Sequence, residues 1–328
     1  MSQRRDSDTS QTTSRSGAYW FSFLKERRGP ALLDRLIERG YDLHVSTSAR
    51  FTYPEFDGTI FADVPRERLV EVAPGDGWER DRAAVDAMVA YLEQPSATPR
   101  FVFHFFEGPH APYSFPPEDA IRRPYPVDVD YATLEPGIDR DGLWNRYVNA
   151  CHSLDGQLAR VIDALKRTGA LERSIVVITG DHGEEFMEHG HWGHGSSFAK
   201  EQVSVPLVVC IPDRDPLVAT WRTSHVDLVP TLLPALGVRS DTRAYSTGQD
   251  LWKEDRDRCV VISDWSRVAF CDGCFKQVLP SGVAGFFRSE QLTAGDQPCA
   301  SEDFEPWSRA HLPLLLEQLS RFRAHGSP

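Results

Sequence analysis

The chain has 328 residues, 41% of them hydrophobic, enough to bury a sizeable core in one large α/β domain or two smaller ones. Its formal net charge of −12 disfavours nucleic acid and anionic lipid as general partners. It does not exclude an anionic substrate, because a metal ion can reverse the field inside one pocket.

Residues 1–17, MSQRRDSDTSQTTSRSG, are polar and lack the apolar run of a secretory signal. They are expected to form a disordered tail. No later stretch approaches the roughly 18 consecutive apolar residues of a membrane span. As written, the chain is expected to be soluble and untargeted.

From there helical and strand patterns alternate. GPALLDRLIERG predicts a helix over 30–39, with Pro30 in its first turn and Gly40 at its end. A strand follows over 41–47. DRAAVDAMVAYLEQ predicts a helix over 81–94, and the apolar run 101–106 a buried strand. The segment 111–140, rich in Pro and Asp, reads as a long loop of the kind that is functional or mobile. Leu143, Tyr147, Leu154, Leu158, Val161, Ile162 and Leu165 then share one face of a helix ending at Gly169. SIVVIT and 205–211 (VPLVVCI) are strands, and SHVDLVPTLLPALG is a helix ended by Gly237.

This rhythm predicts an α/β fold, a mostly parallel sheet sandwiched by helices. After residue 240 the pattern becomes short strands in succession: CVVISDW, RVAFC, CFKQVL and GVAGFF. A final amphipathic helix, PWSRAHLPLLLEQLSRFRAH, follows. The expected organisation is therefore a polar tail (1–17), an α/β core (18–239) and a small antiparallel subdomain with one helix (240–328). The six cysteines do not suggest a disulfide framework. Cys271 and Cys274 flank Asp272-Gly273, a two-residue turn signal, and the hairpin reading is preferred over a redox or zinc motif.

The chemistry concentrates in GDHGEEFMEHGHWGHG, 180–195, which holds His182, His189, His191, His194, Asp181, Glu184, Glu185 and Glu188. Ligands of open α/β sheets bind beyond the carboxyl ends of the strands. One strand runs into Gly180-Asp181-His182, another into Glu107-Gly108-Pro109-His110. Gly180 permits a sharp exit, so that Asp181 and His182 can turn toward one ion. Mixed oxygen and nitrogen donors suit Zn²⁺ or Mn²⁺ better than Ca²⁺. The same stretch can also be read as a solvated loop. His189, in an acidic run, is expected to face solvent, and His191 could go either way. His194 sits between Gly193 and Gly195, which can carry its ring back over the strand ends. Glu184 either orients a ligand imidazole or is a first-turn acid of a following helix. His225 is expected to start a helix, and His104 to be a core histidine.

SIVVITGDHGEEFMEHGHWGHG, followed by VSVPLVV and SHVDLVPTLLPALG, resembles the C-terminal half of the sulfatase branch of the alkaline phosphatase superfamily. FHFFEGPHAPY resembles that family's strand ending in a His-Pro or His-Xaa-Pro loop. The resemblance implies an alkaline phosphatase-like fold, with Asp181 and His182 as ligands of a divalent metal. It matches His110 and His194 to histidines that contact the sulfate, the phosphate or a second metal. A narrower resemblance, through GAYWFSFLKERRGPALLDRLIERGY, FTYPEFDGTIFADV and STGQDLW, is to the periplasmic sulfatase-like domain of Gram-negative inner-membrane proteins linked to lipopolysaccharide and cardiolipin control.

In that family a first strand with acidic metal ligands and then a nucleophile motif precede the region matching GAYWFSF. Only the polar tail precedes it here, so the family's first strand and its nucleophile are expected to be missing. Thr12, Thr13 and Ser14, on a tail without its strand, would not hold the geometry. The expected activity is metal-dependent hydrolysis or transfer of sulfate or phosphate esters, with an anionic ester or an envelope lipid or glycan as partner. The alternatives are a non-catalytic envelope-binding module, or a truncated piece that needs an N-terminal portion or a partner protein. The compartment stays open: the chain as written shows no export signal, whereas the relatives it resembles are periplasmic and anchored to the inner membrane.

Overall fold

The computed structural model describes residues 19–27, 29–53, 55–71, 74–129, 139–281 and 288–322. The expected tail, with Thr12, Thr13 and Ser14, lies outside them.

Helix α1 (Trp20–Glu26) leads into α2 (Ala31–Glu38), where Pro30 precedes the first turn and Leu32, Leu33 and Leu36 form the buried stripe. Strand β1 (Asp42–Thr47) follows, then the short β2 (Leu69–Glu71). Helix α3 (Gly77–Glu93) starts four residues before the expected position. Asp76 and Glu79 form a reciprocal capping box that fixes its start. Strand β3 is Arg100–Phe105, and α4 (Arg140–Arg167) is the long helix, opened by Asp139 accepting from the Gly142 N–H at 2.9 Å.

The second half holds β4 (Val176–Thr179), the short pair β5 (Glu185–Phe186) and β6 (Trp192–Gly193), a one-turn helix α5 (Lys200–Val203) and β7 (Leu207–Cys210). Then come α6 (Leu228–Ala235), β8 (Val260–Ser263), β9 (Arg267–Cys271), β10 (Phe275–Pro280), β11 (Glu290–Thr293) and α7 (Phe304–Ser320). The strand expected at 282–287 lies outside the described residues. No described helix is long and apolar enough to cross a membrane.

Strands β2, β1 and β3 form a parallel sheet in that order, with Val45 opposite Leu69 and Phe103. Strand β4 pairs with β7, and this pair is antiparallel, with Val177 opposite Val209. Between β4 and β7 the only helix is the one-turn α5. Both groups of strands pack on one core with Leu33 and Leu36 of α2 and Val229 and Leu233 of α6. Among the described residues, β3 and β4 each have a strand partner on one edge only. Both stay partly exposed along their length, where inner strands of a helix-covered sheet are normally buried.

The C-terminal sheet is antiparallel throughout, in the order β11-β10-β9-β8, with α7 laid on it. Val261, Val268, Phe270 and Leu315 form its core, and the Phe270 and Trp307 rings stack. Cys271 and Cys274 flank the β9–β10 hairpin as free thiols, as the turn signal implied.

Candidate functional site

Three carboxyl-terminal features of the core meet at one place: the exits of β3 and β4 and the loop behind β6. At the end of β4, Asp181 Oδ1 accepts the His182 backbone N–H at 2.9 Å, and its Oδ2 lies 3.4 Å from His182 Nε2. The turn is pressed against α5. A Cβ on Gly183 would sit 2.1 Å from the Glu201 carbonyl, and the Gly183 N–H donates to Gln202 O at 3.0 Å. Only glycine fits there.

His194 comes back over this turn as expected from its flanking glycines, which have φ of 76° at Gly193 and 69° at Gly195. Its ring centroid lies 3.7 Å from that of His182 and 5.4 Å from that of His110. No helix follows Gly183; instead β5 and β6 form a small ladder, which removes the first-turn reading of Glu184. Glu184 accepts from His194 Nδ1 at 2.5 Å and from the Tyr113 hydroxyl at 2.7 Å. The donor atoms of His182, Glu184 and His194 all lie within 4.8 Å of one another.

The histidine tautomers follow from their partners. Carbonyl and carboxylate oxygens only accept, so the nitrogen facing one must be the N–H. His182 Nδ1 faces Gly183 O at 3.0 Å, His110 Nδ1 faces Ala111 O at 2.7 Å, and His194 Nδ1 faces Glu184. In the neutral His110 and His194 rings the lone pair is therefore on Nε2, the nitrogen a metal or a donated proton would meet. His182 Nε2 also faces Asp181 Oδ2 at 3.4 Å, so both of its nitrogens meet acceptors. That is the arrangement of a protonated ring or of one whose Nε2 shares a cation with Asp181.

The electrostatics point the same way. Burial works against charge on Asp181, but positive charge on the His182 and His194 rings, together with the His182 N–H, outweighs it and holds its carboxyl below the usual range. Burial likewise opposes charge on Glu184, and the His194 and Tyr113 hydrogen bonds again win. Both groups are thus anionic at neutral pH, and no described Lys or Arg forms an ion pair with either. Two enclosed carboxylates beside lone-pair imidazoles form a donor set with room for a cation's charge.

The remaining expected residues fall around this centre. His189 is exposed and pairs with Glu201 at 3.0 Å. His191 is exposed, and its backbone N–H, rather than its ring, is tied in, to Glu185 at 2.9 Å. His104 is a core histidine held by the Ser46 hydroxyl at 2.9 Å. His225 starts a 3-10 turn as expected, and it also reaches Thr179 Oγ1 at 3.2 Å beneath the site; burial pushes its pKa down.

Several supporting residues escaped sequence reasoning. Glu185 is fully buried and accepts from the His189 and His191 N–H groups and the Gln202 amide, so it organises the loop from inside. Asp81 of α3 accepts from the Glu107 and Gly108 N–H groups at 2.9 and 2.7 Å, fixing the exit of β3. Arg267 of β9 donates to the Gly195 and Ser196 carbonyls, and Lys276 of β10 to the Phe198 carbonyl. Tyr113 stood in the quoted segment FHFFEGPHAPY, the one sequence signal that could have found it. The Asp of SHVDLVP is architectural: Asp227 is fully buried and takes both guanidinium nitrogens of Arg258 as well as the Ser224 and Gln249 N–H groups. The Cys151 thiol, which interacts electrostatically with Glu184, is hydrogen-bonded to Tyr147, and burial pushes its pKa up. It is a poor nucleophile in that state.

Comparisons with known proteins agree with this architecture. The family model described as Sulfatase matches residues 7–238. A low-salt glycan biosynthesis sulfotransferase, Agl7, of Haloferax volcanii is 32% identical over 186 residues, 54% of this chain and 42% of that protein. The inner membrane protein YejM of Salmonella typhimurium is 30% identical over 262 residues, 77% of this chain and 38% of that protein. The chain thus spans less than half the length of these curated relatives. Among solved structures, an alkaline phosphatase superfamily protein from Vibrio parahaemolyticus superposes with a TM-score of 0.63 at 17% identity, over 96% of this chain and 75% of that one. A phosphonate monoester hydrolase from Silicibacter pomeroyi gives 0.62 at 16% identity, over 97% and 85%. With an alkaline phosphatase-like α/β fold and a family match over most of its length, the chain belongs to the sulfatase family.

Proposed function

We propose that this chain supplies the metal-binding half of a site that hydrolyses or transfers sulfate or phosphate esters. The observation that carries the reading is the convergence of Asp181, His182, Glu184, His194 and His110 at the strand exits. Asp181 and His182 Nε2 are the donors for a divalent ion, Zn²⁺ or Mn²⁺ rather than Ca²⁺ on the mixed donor set. Such an ion, when bound, polarises an ester oxygen and offsets charge that builds up on the transferring group.

The chain's own residues do the rest. Glu184 holds the His194 ring through Nδ1, with Tyr113 fixing the carboxylate from behind. His194 Nε2 and His110 Nε2 are turned to receive or, once protonated, to donate a proton toward the ester oxygens. The site sits in the core read as 18–239, and the subdomain read as 240–328 braces its loop through Arg267 and Lys276. The name of one curated relative, a glycan biosynthesis sulfotransferase, supports a glycan ester as substrate, and that of the other, an inner membrane protein, supports a place at the envelope. The nucleophile is a group brought by a segment or partner outside the described residues, and the open edges of β3 and β4 offer it a strand position.

A second reading is a non-catalytic module that binds an anionic ester without turning it over. It is favoured by one observation: the hydroxyl tied into the centre, that of Tyr113, is committed to Glu184.

Metal content of the purified chain, measured after supplementation with Zn²⁺ and Mn²⁺, tests both readings together with turnover of aryl sulfates, phosphates and phosphonates. Bound metal with turnover, by the chain alone or with the segment or partner that brings the nucleophile, supports the first. Bound metal with ester binding but no turnover in either case supports the second. No bound metal sinks both.

A further inference from the structure

His225 belongs to the motif SHVDLVP and starts the 3-10 turn that leads into α6, yet its ring lies under the exit of β4. Thr179 is the last residue of β4, and Asp181 follows two residues later. The Thr179 hydroxyl faces two carbonyls, Pro206 O at 2.9 Å and Gly180 O at 3.1 Å. Carbonyl oxygens only accept, so the hydroxyl proton goes to one of them and the hydroxyl oxygen is left to accept. Its donor is His225 Nε2, 3.2 Å away. The ring is also hydrogen-bonded to the Gly180 backbone, and it is close enough to feel the charge of Asp181.

Nε2 therefore carries the proton, which makes it a donor to the turn and not a lone pair for a metal. The backbone that carries this ring is fixed from the far side. Ser224 and Asp227 form a reciprocal capping box. Asp227 is fully buried and takes both guanidinium nitrogens of Arg258, and its Oδ1 accepts the Gln249 N–H at 2.9 Å. The Ser246 hydroxyl donates to the Val226 carbonyl at 2.9 Å. A Cβ on Gly248 would collide with that same carbonyl, so the segment 246–249 lies directly against the turn. With Val226 and Asp227 held in this way, the His225 ring has a set place from which to aim its N–H.

We propose that His225 is a positioning residue for the metal turn: its Nε2–H fixes Thr179 and Gly180, and through them sets the direction of the Asp181 carboxylate. The inference rests on the reading of Asp181 as a metal donor. It extends the groups the site needs into the segment beyond residue 240, because the Arg258–Asp227 pair holds His225 where it can act. Removing a group that orients a metal ligand from behind changes affinity by about 10–100-fold.

Zn²⁺ titration of the full chain carrying His225→Gln, His225→Asn or His225→Leu tests this. Glutamine can place an amide N–H near the position of Nε2, asparagine is one carbon too short to reach it, and leucine fills similar space with no donor. His225→Gln is expected to stay within about threefold of wild-type affinity, and the Asn and Leu variants to lose about tenfold or more. Wild-type affinity in folded His225→Leu overturns the proposal. So does equal loss in all three variants, which would mark a packing role that no donor rescues. If His225→Leu does not fold, the Gln and Asn variants decide, and equal affinity in those two overturns the proposal. A wild type that binds no Zn²⁺ defeats the reading of the site instead. The positioning is then read without metal, from the backbone amide resonances of residues 180–183. Displacement in His225→Asn with recovery in His225→Gln upholds it, and equal resonances in the two overturn it.

Discussion

The Tyr113 hydroxyl donates to Glu184 at 2.7 Å across 71 residues of chain, and the other Glu184 oxygen holds His194. The loop after β3 and the loop after β4 are therefore joined through a single carboxylate. Tyr113 is fully buried, so Tyr113→Phe removes one donor without opening a cavity. The unpaired carboxylate oxygen is expected to cost about 1–3 kcal/mol of stability. Metal affinity is expected to fall by about 10–100-fold, as for other groups that orient a ligand ring from behind. Denaturant unfolding and Zn²⁺ titration measure the two effects. A stability loss with unchanged metal affinity would separate Tyr113 from the site.

Asp181→Asn tests the donor set more directly. The substitution keeps the shape and removes the charge. Asparagine cannot supply the anionic oxygen on which the charge balance of the site rests, so bound Zn²⁺ or Mn²⁺ is expected to drop to background in elemental analysis. His152→Ala, at an exposed position of α4, serves as the control and is expected to keep its metal. Equal metal content in wild type and Asp181→Asn contradicts the assignment.

Much of this site was legible in the sequence because it rests on local devices. Gly193 and Gly195 announced the backbone reversal that returns His194, and both have positive φ. Apolar runs announced β3 and β4. Direction was not legible: VPLVVCI reads the same whether β7 runs parallel or antiparallel to β4, because a run of apolar residues carries no sign of its neighbour. Strand β11 was missed because EQLT has no apolar alternation and its first two residues are exposed. Among the acids of the 180–195 stretch, nothing local separates buried Glu185 from the others. Its burial is set by Gln202, which arrives from α5.

Glu185 also gives the loop a pH dependence. Burial opposes its charge, but the Gln202 amide and the His191 and His189 N–H groups outweigh it and hold its pKa below the ordinary glutamate value of 4.5. A depressed folded-state pKa contributes stability above the unfolded value, and that contribution is lost as pH falls through the folded one. Glu185→Gln is therefore expected to lower the Tm at pH 7 and to narrow its gap from wild type as pH drops below 4.5. A gap that is constant from pH 7 to the acid limit would show that the charge is not what organises the loop.

The brace from the C-terminal sheet makes a different kind of prediction, because it is a buried ion pair. Lys276 and Asp296 contact each other with side chains 6% and 5% exposed, and Lys276 also donates to the Phe198 carbonyl at 2.6 Å. Removing one partner leaves the other charge buried and unmatched. Lys276→Met is therefore expected to cost about 3–5 kcal/mol. Lys276→Met/Asp296→Asn removes both charges, while the amide oxygen still accepts the Lys200 N–H and asparagine tolerates the φ of 63°. It is expected to recover most of that loss. The Phe198 carbonyl loses its donor in both variants. If the contact to Phe198 is what positions the His194 loop, the double variant regains stability but not metal affinity. Urea unfolding and Zn²⁺ titration on the single and double variants separate the two roles. Recovery of both together would mean that the ion pair serves stability alone.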